Sequence, residues 1–114
     1  MSVDQTNVID LISTNASGEV VLTVSDHLDW SDSVRHQTIL QEKLNAYLAF
    51  AESGQMLREY PDSAGRTVVF DVALKFEPDN KGVRFLKRAA EVVKSAGFRW
   101  SCELFSEHSN ARVV

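Results

Sequence analysis

The most chemically suggestive segment of the sequence is Asp26-His27-Leu28-Asp29, in which one histidine lies between two carboxylates. A histidine held by carboxylates can act as a general base, and with His36 the same side chains could supply metal ligands. A metal site needs three or four converging ligands, and few others are near in the sequence. Asp26, His27 and Asp29 are therefore weak site candidates, for catalysis, for metal binding or as part of a binding surface.

The same segment lies where a predicted strand gives way to a predicted helix, and there acidic and hydroxyl side chains have a structural use. Asp29, Ser31 and Asp32 can each accept hydrogen bonds from the free amide groups of a first helical turn. Their negative charge also suits the positive end of the helix dipole. We therefore expect the cluster to cap a helix, and we predict no catalytic residue, no bound metal and no cofactor.

The single cysteine, Cys102, could act as a nucleophile with a histidine elsewhere in the chain. It is in phase with Trp100 and Leu104 on the apolar face of a predicted strand, where a cysteine usually behaves as a small hydrophobic residue. A reactive thiolate needs an electropositive and partly exposed site instead. The pattern predicts a buried, unreactive thiol.

Basic side chains mark the second predicted helix, at Lys81, Arg84, Lys87, Arg88 and Lys94. Such a face could meet a phosphate or an acidic partner, although a solvated face balanced by nearby acids is the simpler interpretation. The chain as a whole carries 12 basic and 16 acidic residues, a net charge of -4. That charge argues against general nucleic-acid binding. The sequence also has no P-loop, GxGxxG, CxxC or HExxH motif.

Hydrophobic periodicity orders the chain as β-β-α-β-α-β. The predicted elements are a hairpin from 7–13 and 19–25, a helix at 33–53, a strand at 67–76, a helix from about 78 to 96 and a strand at 98–105. Residues 55–65 are predicted to form a loop. Each helix has one apolar stripe, so both should cover one face of a four-stranded mixed sheet. The prediction is an α+β two-layer sandwich in which the last two strands are parallel.

The predicted core follows from these stripes and from the strand alternation. In the first helix the apolar stripe is Leu40, Leu44, Tyr47, Leu48 and Ala51, with Lys43 placed off it. The core is expected to contain Leu44, Leu48, Phe70, Val72, Leu86, Val93 and Trp100.

The chain length of 114 residues allows a single domain, 1–114. We expect an ordered core at about 7–105 and a C-terminal tail, 106–114, that frays. Hydrophobic residues make up 44% of the chain, yet no stretch approaches the ~20 apolar residues of a membrane span. The residues Met1 to Gln5 lack the basic start and apolar run of a signal peptide. With a lone cysteine, these features predict a cytoplasmic protein with no membrane partner.

The sheet face opposite the helices is predicted to be unusually apolar for a solvated surface. It should be a mixed surface that carries Val21, Thr23, Val69, Asp71, Ala73, Lys75, Arg99, Ser101, Glu103 and Phe105, with Ile9 and Leu11 from the hairpin if Val8 and Ile12 face the core. Strands favour β-branched residues even where they are exposed. The alternative is an interaction face covered by another protein or by a second copy of the chain.

Two stretches, DHLDW at 26–30 and LQEKLNAYLAFAESGQ at 40–55, resemble a small bacterial family of single-domain proteins known only as a domain of unknown function. The resemblance covers about residues 7–105 and implies the same hairpin and strand–helix–strand end. It implies no catalytic residue or ligand. Size, acidity and architecture are also similar to those of small immunity proteins of bacterial toxin systems, and the analogy rests on these three properties alone.

The function these features favour is that of a non-enzymatic bacterial protein that acts through protein–protein contact, as a homodimer or with another protein. Toxin immunity or regulation would be its narrower forms. A small-ligand-binding module is the alternative. An enzyme that uses the cluster of Asp26, His27 and Asp29 is a third and weaker one.

Overall fold

The computed structural model describes Val3, Gln5 and residues 9–106 and 109–113. Its strands are β1 (Leu11–Thr14), β2 (Val20–Asp26), β3 (Val68–Leu74), β4 (Arg99–Ser106) and β5 (Ser109–Val113). Its helices are α1 (Ser33–Glu52), α2 (Gln55–Glu59) and α3 (Asn80–Ser95), with a 3-10 turn at Pro61–Ser63.

The strands form one sheet in the order β1-β2-β3-β4-β5. The outer pairs, β1–β2 and β4–β5, are antiparallel, whereas β2–β3 and β3–β4 are parallel. Parallel neighbours need a crossover connection, and α1 and α3 provide the two crossovers. Both helices bury their apolar stripes on the same face of the sheet. The predicted α+β sandwich with a four-stranded mixed sheet is confirmed by β1 to β4.

The structure adds two elements that the sequence pattern did not indicate. Strand β5 pairs with β4 within the tail that was expected to fray, where Glu103 lies opposite Val113. The tail has no hydrophobic alternation, and its pairing rests on backbone groups at the edge of β4. Helix α2 falls in the predicted loop at 55–65, and the buried side chain of Met56 anchors it. Gly54, with φ of 87°, makes the turn between α1 and α2.

The core lies between the sheet and the helices. Alternate residues of β2 and β3 point into it, and the stripes of α1 and α3 close it. Its buried members from these elements include Val20, Leu22, Val24, Leu40, Leu44, Tyr47, Val68, Phe70, Val72, Leu74, Phe85, Leu86 and Val93. Leu48 and Trp100, which were also expected there, are partly buried and pack against its edge.

Helix α1 begins where the capping residues predict, and Asp32 is the cap among the three candidates. Its side chain accepts a hydrogen bond from the backbone N–H of Arg35, at 3.2 Å. The Asp29 carboxylate instead accepts hydrogen bonds from the N–H and the hydroxyl of Ser31. The capping interpretation is therefore right for the segment, but Asp29 organises the loop before the helix.

Candidate functional site

The three weak site candidates at the end of β2 point in different directions. Asp26 continues the inward alternation of Leu22 and Val24, so it lies on the helix-covered side of the sheet. Its exposed fraction there is 2%. His27 and Asp29 are both exposed. The structure therefore does not bring the three candidates together.

Asp26 is paired with His36 of α1 instead. The Nε2 atom of His36 lies 2.6 Å from Oδ2 of Asp26, and both side chains are buried. The Nδ1 atom lies 2.9 Å from the backbone carbonyl oxygen of Asp29. A carbonyl oxygen can only accept, so Nδ1 carries a hydrogen and one proton lies between Nε2 and the carboxylate. Both ring nitrogens are therefore occupied within the protein.

An aromatic ring and a glycine complete this cluster. The ring of Trp30 stacks on the imidazole of His36, with 3.7 Å between the ring centroids. Its indole N–H donates to the carbonyl oxygen of Phe76, at 3.3 Å. A Cβ atom added to Gly82 would lie 2.7 Å from the Trp30 ring, so glycine allows α3 to pack closely here. The cluster thus ties the ends of β2 and β3 to the starts of α1 and α3.

This arrangement favours a structural role over catalysis. A general base must reach the proton that it removes, and His36 is 2% exposed. Among the residues that the structure describes, no three His, Cys, Asp or Glu side chains converge as a metal site would require. The sequence suggests His36 only as a possible metal ligand. Its spacing from Leu40 and Tyr47, near multiples of a helical turn, was the signal that it faces the core.

A second buried polar cluster was not expected from the sequence pattern. Lys43 is fully buried, so its placement off the apolar stripe was wrong. Its ammonium donates to Oδ1 of Asp10 at 2.7 Å and to the carbonyl oxygen of Gln5 at 2.6 Å. The other Asp10 oxygen accepts from the N–H of Ser25 at 2.9 Å. Lys43 lies two turns after the buried His36, and this spacing could have indicated that it shares a buried face.

Tyr47 joins this cluster from the next turn of α1. Its hydroxyl accepts from the N–H of Asp10 at 2.8 Å and donates to the carbonyl oxygen of Thr23. Burial, and to a lesser degree the Asp10 charge, raise the pKa of Tyr47, while the hydrogen bond from the Asp10 backbone lowers it. The phenol therefore stays protonated at neutral pH and connects β2 to α1 through its hydrogen bonds.

Cys102 is 2% exposed and lies on the helix-covered side of β4, as predicted. Burial, chiefly, and the charges of Asp71, Asp26 and Glu103 raise the pKa of its thiol to about 12. Thiolate is the nucleophilic form of cysteine, and it is scarce at neutral pH when the pKa is this high. Among the described residues, none is found to lower the pKa of this thiol.

The opposite face of the sheet is the second candidate region, and we call it the open face. The register places Val21, Val69 and Arg99 in one row across β2, β3 and β4. Asp71 and Ala73 follow on the same side of β3. Lys75 and Phe105 line a hollow together with Ala73 at the end of this face. Val69 is 9% exposed and Phe105 is 45% exposed. Leu11, 54% exposed, lies opposite Thr23 at the β1 edge of this face.

Charged side chains lie among the apolar residues of the open face. Arg99 forms an ion pair with Glu19, which lies next to the start of β2. Asp71 is half-buried at the middle of β3, and its Oδ1 atom has no hydrogen-bond partner among the described residues. Burial first, and then the neighbouring carboxylate of Glu103, raise the pKa of Asp71, while a hydrogen bond from Ser101 lowers it. The Asp71 carboxylate is therefore shielded from part of the solvent, and one of its two oxygens has no hydrogen-bond partner among the described residues.

A shallow hollow of about 220 Å³ lies at one end of the open face. It is found where β2 and β3 end, and its lining includes His27, Ala73, Lys75 and Phe105. Parallel strands commonly present their binding residues at their carboxyl ends. Because His27 lines this hollow and Asp29 does not, the two side chains lie in different places.

The basic side chains of α3 are exposed, as predicted. None of Lys81, Arg84, Lys87, Arg88 and Lys94 forms an ion pair with the part of the chain that the structure describes. Asp79, one of the acids near these basic side chains in the sequence, is the cap of α3 and accepts a hydrogen bond from the N–H of Gly82 at 2.7 Å. No helix in the described ranges is long and apolar enough to cross a membrane.

Fold and site together define a small α+β sandwich with its buried polar clusters under two helices and its sheet open on the other side. The chain belongs to a family of unknown function (DUF6572), and the family model matches residues 1–106. The resemblance noted from the sequence is confirmed at the level of the family. No curated protein and no solved structure matches the chain.

Proposed function

We propose that this protein acts through protein–protein contact at the open face of its sheet, without catalysis. The observation that carries the proposal is the composition of that face. Three apolar side chains of neighbouring strands, Val21, Val69 and Phe105, share this face with the half-buried carboxylate of Asp71. Covering such a face removes apolar area from water at about 25 cal/mol per Å², before the costs of association.

A second copy of the chain is the partner that this face fits first. The same face carries the acids Asp71 and Glu103 and the bases Lys75 and Arg99. A twofold contact places one patch against itself, so acids of one copy can meet bases of the other. A donor from the partner could also satisfy Oδ1 of Asp71. Toxin immunity or regulation through a different protein would use the same face.

Light scattering on the purified chain tests the proposal. The expected result is a dimer whose share increases with protein concentration. Phe105→Lys should return the chain to the monomer, because it places a charge within the contact. Leu57→Lys is the matched control, since Leu57 is an exposed apolar residue of α2, 50% exposed.

Two results would contradict the proposal in different ways. A strict monomer over the whole soluble range would exclude the second copy as the partner. If a partner protein then binds Phe105→Lys as strongly as the unmodified chain, the open face is ordinary surface. Val69→Lys is a poorer probe than Phe105→Lys, because Val69 is nearly buried and the substitution would affect folding.

A further inference from the structure

A hollow of about 320 Å³ lies between α1 and α3, on the side of the helices away from the sheet. Its apolar lining comes from both helices and consists of Leu44, Leu48, Phe85, Ala89, Val92 and Val93. Val92 is 57% exposed, whereas Leu44 and Val93 form a buried floor. The volume falls in the lower part of the range of small-molecule sites, which are mostly apolar with a few polar groups.

The polar lining is made of hydrogen-bond donors. It consists of Gln41 and Asn45 on α1 and Arg88 on α3, and none of the acidic side chains that the structure describes lines the hollow. None of the three forms a side-chain hydrogen bond or ion pair with the described part of the chain. Arg84 lies one turn before Arg88 and adds positive charge, with Glu91 as the acidic residue one turn after. In a chain of net charge -4, this rim is locally basic.

We propose that this hollow binds a small molecule with an apolar body and one carboxylate group. The apolar side chains cover the body, and the guanidinium of Arg88 holds the carboxylate. Arginine is suited to this role because its planar donors match the two carboxylate oxygens. The amide groups of Gln41 and Asn45 can donate to the same oxygens from the opposite wall.

This site is separate from the proposed function, because it lies on the helix layer and the contact surface lies on the open face. The two proposals therefore fail independently. Binding in the hollow needs no second copy, and dimer formation needs no ligand.

Titration calorimetry with octanoate as the probe tests the site. Acetate supplies the carboxylate without the body, and 1-octanol supplies the body without the charge. We expect one octanoate per chain. 1-Octanol should bind at least about tenfold more weakly, because it lacks the charge-assisted hydrogen bond. Acetate should also bind at least about tenfold more weakly, because it buries almost no apolar area. Arg88→Gln should weaken octanoate binding about tenfold and remove its advantage over 1-octanol.

Two further variants make the result specific to the hollow. Arg84→Gln removes a neighbouring basic side chain of α3 that does not line the hollow, and should change the affinity less than about twofold. Ala89→Leu fills the hollow and should abolish binding. A circular dichroism melt of each variant shows that it is folded.

Several outcomes would overturn the proposal. No binding of octanoate at any soluble concentration would do so, as would equal effects of Arg88→Gln and Arg84→Gln. Binding that persists in Ala89→Leu would place the ligand elsewhere. If these variants change the oligomeric mass instead of octanoate affinity, the hollow is a protein contact.

Discussion

Charged side chains on the two faces of the sheet differ in how deeply they are buried and in whether they are paired. On the helix-covered side, Asp26 is paired with His36 and Asp10 with Lys43, and each of these side chains is almost fully buried. On the open face, Asp71 is half-buried and one of its carboxylate oxygens has no partner among the described residues. The carboxylates of Asp26 and Asp10 have partners within the chain. Oδ1 of Asp71, in contrast, can still accept a hydrogen bond from a group outside the described residues.

This difference indicates which polar residues serve the fold more clearly than residue type does. A buried charge is costly unless it is paired and hydrogen-bonded, so the clusters under the helices fix the positions of the elements that supply them. A half-buried carboxylate with one oxygen that has no partner among the described residues does not fix two elements in this way. Function is therefore expected at the open face rather than at the histidine–aspartate pair.

The largest effect should come from breaking the buried pair of Lys43 and Asp10. Lys43→Ala leaves the Asp10 carboxylate buried without its counter-charge, and such a change typically costs about 3–5 kcal/mol. Denaturant unfolding measures the loss. Glu42→Ala, at the exposed neighbouring position of α1, should change the free energy of unfolding by less than about 0.5 kcal/mol. A loss below about 1 kcal/mol for Lys43→Ala, against the scale of a broken buried pair, would mean that this cluster does not fix the fold.

The two histidines of the site region provide the next comparison. His36→Gln removes the partner of a buried carboxylate and the ring that stacks on Trp30, and should cost about 1–3 kcal/mol. His27→Gln is its control, because His27 is exposed on the other side of the sheet, and it should be nearly neutral. Thermal unfolding of both variants tests the pair. The reverse order of effects would make His27 the structural residue.

The helix cap gives a smaller effect. Asp32→Ala removes the acceptor for the N–H of Arg35 and should cost about 1 kcal/mol, the usual value for a lost cap. Asp29→Ala, three residues earlier, removes only the loop contacts with Ser31 and should cost less. Denaturant midpoints of the two variants measure the difference. Equal losses would show that both residues hold the start of α1.

The smallest effect on stability is expected on the open face. Asp71→Asn tests the carboxylate whose Oδ1 atom has no partner among the described residues. Burial raises the pKa of Asp71 above its ordinary value of 3.8. The stability that its protonated form contributes is therefore fully present below that ordinary value and is lost as pH rises through the folded-state pKa. Asp71→Asn should consequently be more stable than the unmodified chain at pH 7, by up to about 0.5 kcal/mol.

The pH dependence provides the check on this prediction. The difference between Asp71→Asn and the unmodified chain should be small at about pH 3 and increase toward neutral pH. Glu42→Gln, at an exposed carboxylate of α1, serves as the control. If Asp71→Asn is instead less stable at pH 7, the carboxylate already has the partners it needs and the contrast between the two faces disappears.

The sequence predicted the layer architecture because periodicity records which side of an element is buried. Strand β3 alternates over its whole length, and α3 has one clear apolar stripe, so both were placed correctly. Lys43 was misplaced because periodicity arguments use residue type, and lysine is assigned to solvent unless its partner is known. Its partner Asp10 lies 33 positions earlier, and no local pattern connects the two.

The candidate site, like the fold, could be predicted from the sequence only in part. The capping role of the segment before α1 and the composition of the open face followed from the sequence. The pairing of Asp26 with His36 did not, because it depends on how α1 lies across the end of β2. Strand β5 could not be predicted either, since its pairing uses backbone groups that carry no sequence signal.

Because Cys102 is buried, the reactivity of its thiol reports the opening of the protein core. The sequence contains a single thiol, and it lies in β4 directly opposite Val72 of β3, inside the core. An alkylating reagent can reach that sulfur only while the middle of the sheet is separated from the helices. When reclosing is faster than alkylation, the ratio of the labelling rate to that of an unfolded peptide gives the free energy of that opening event. A chain with one buried thiol therefore allows the free energy of opening its core to be measured by alkylation, without any added label.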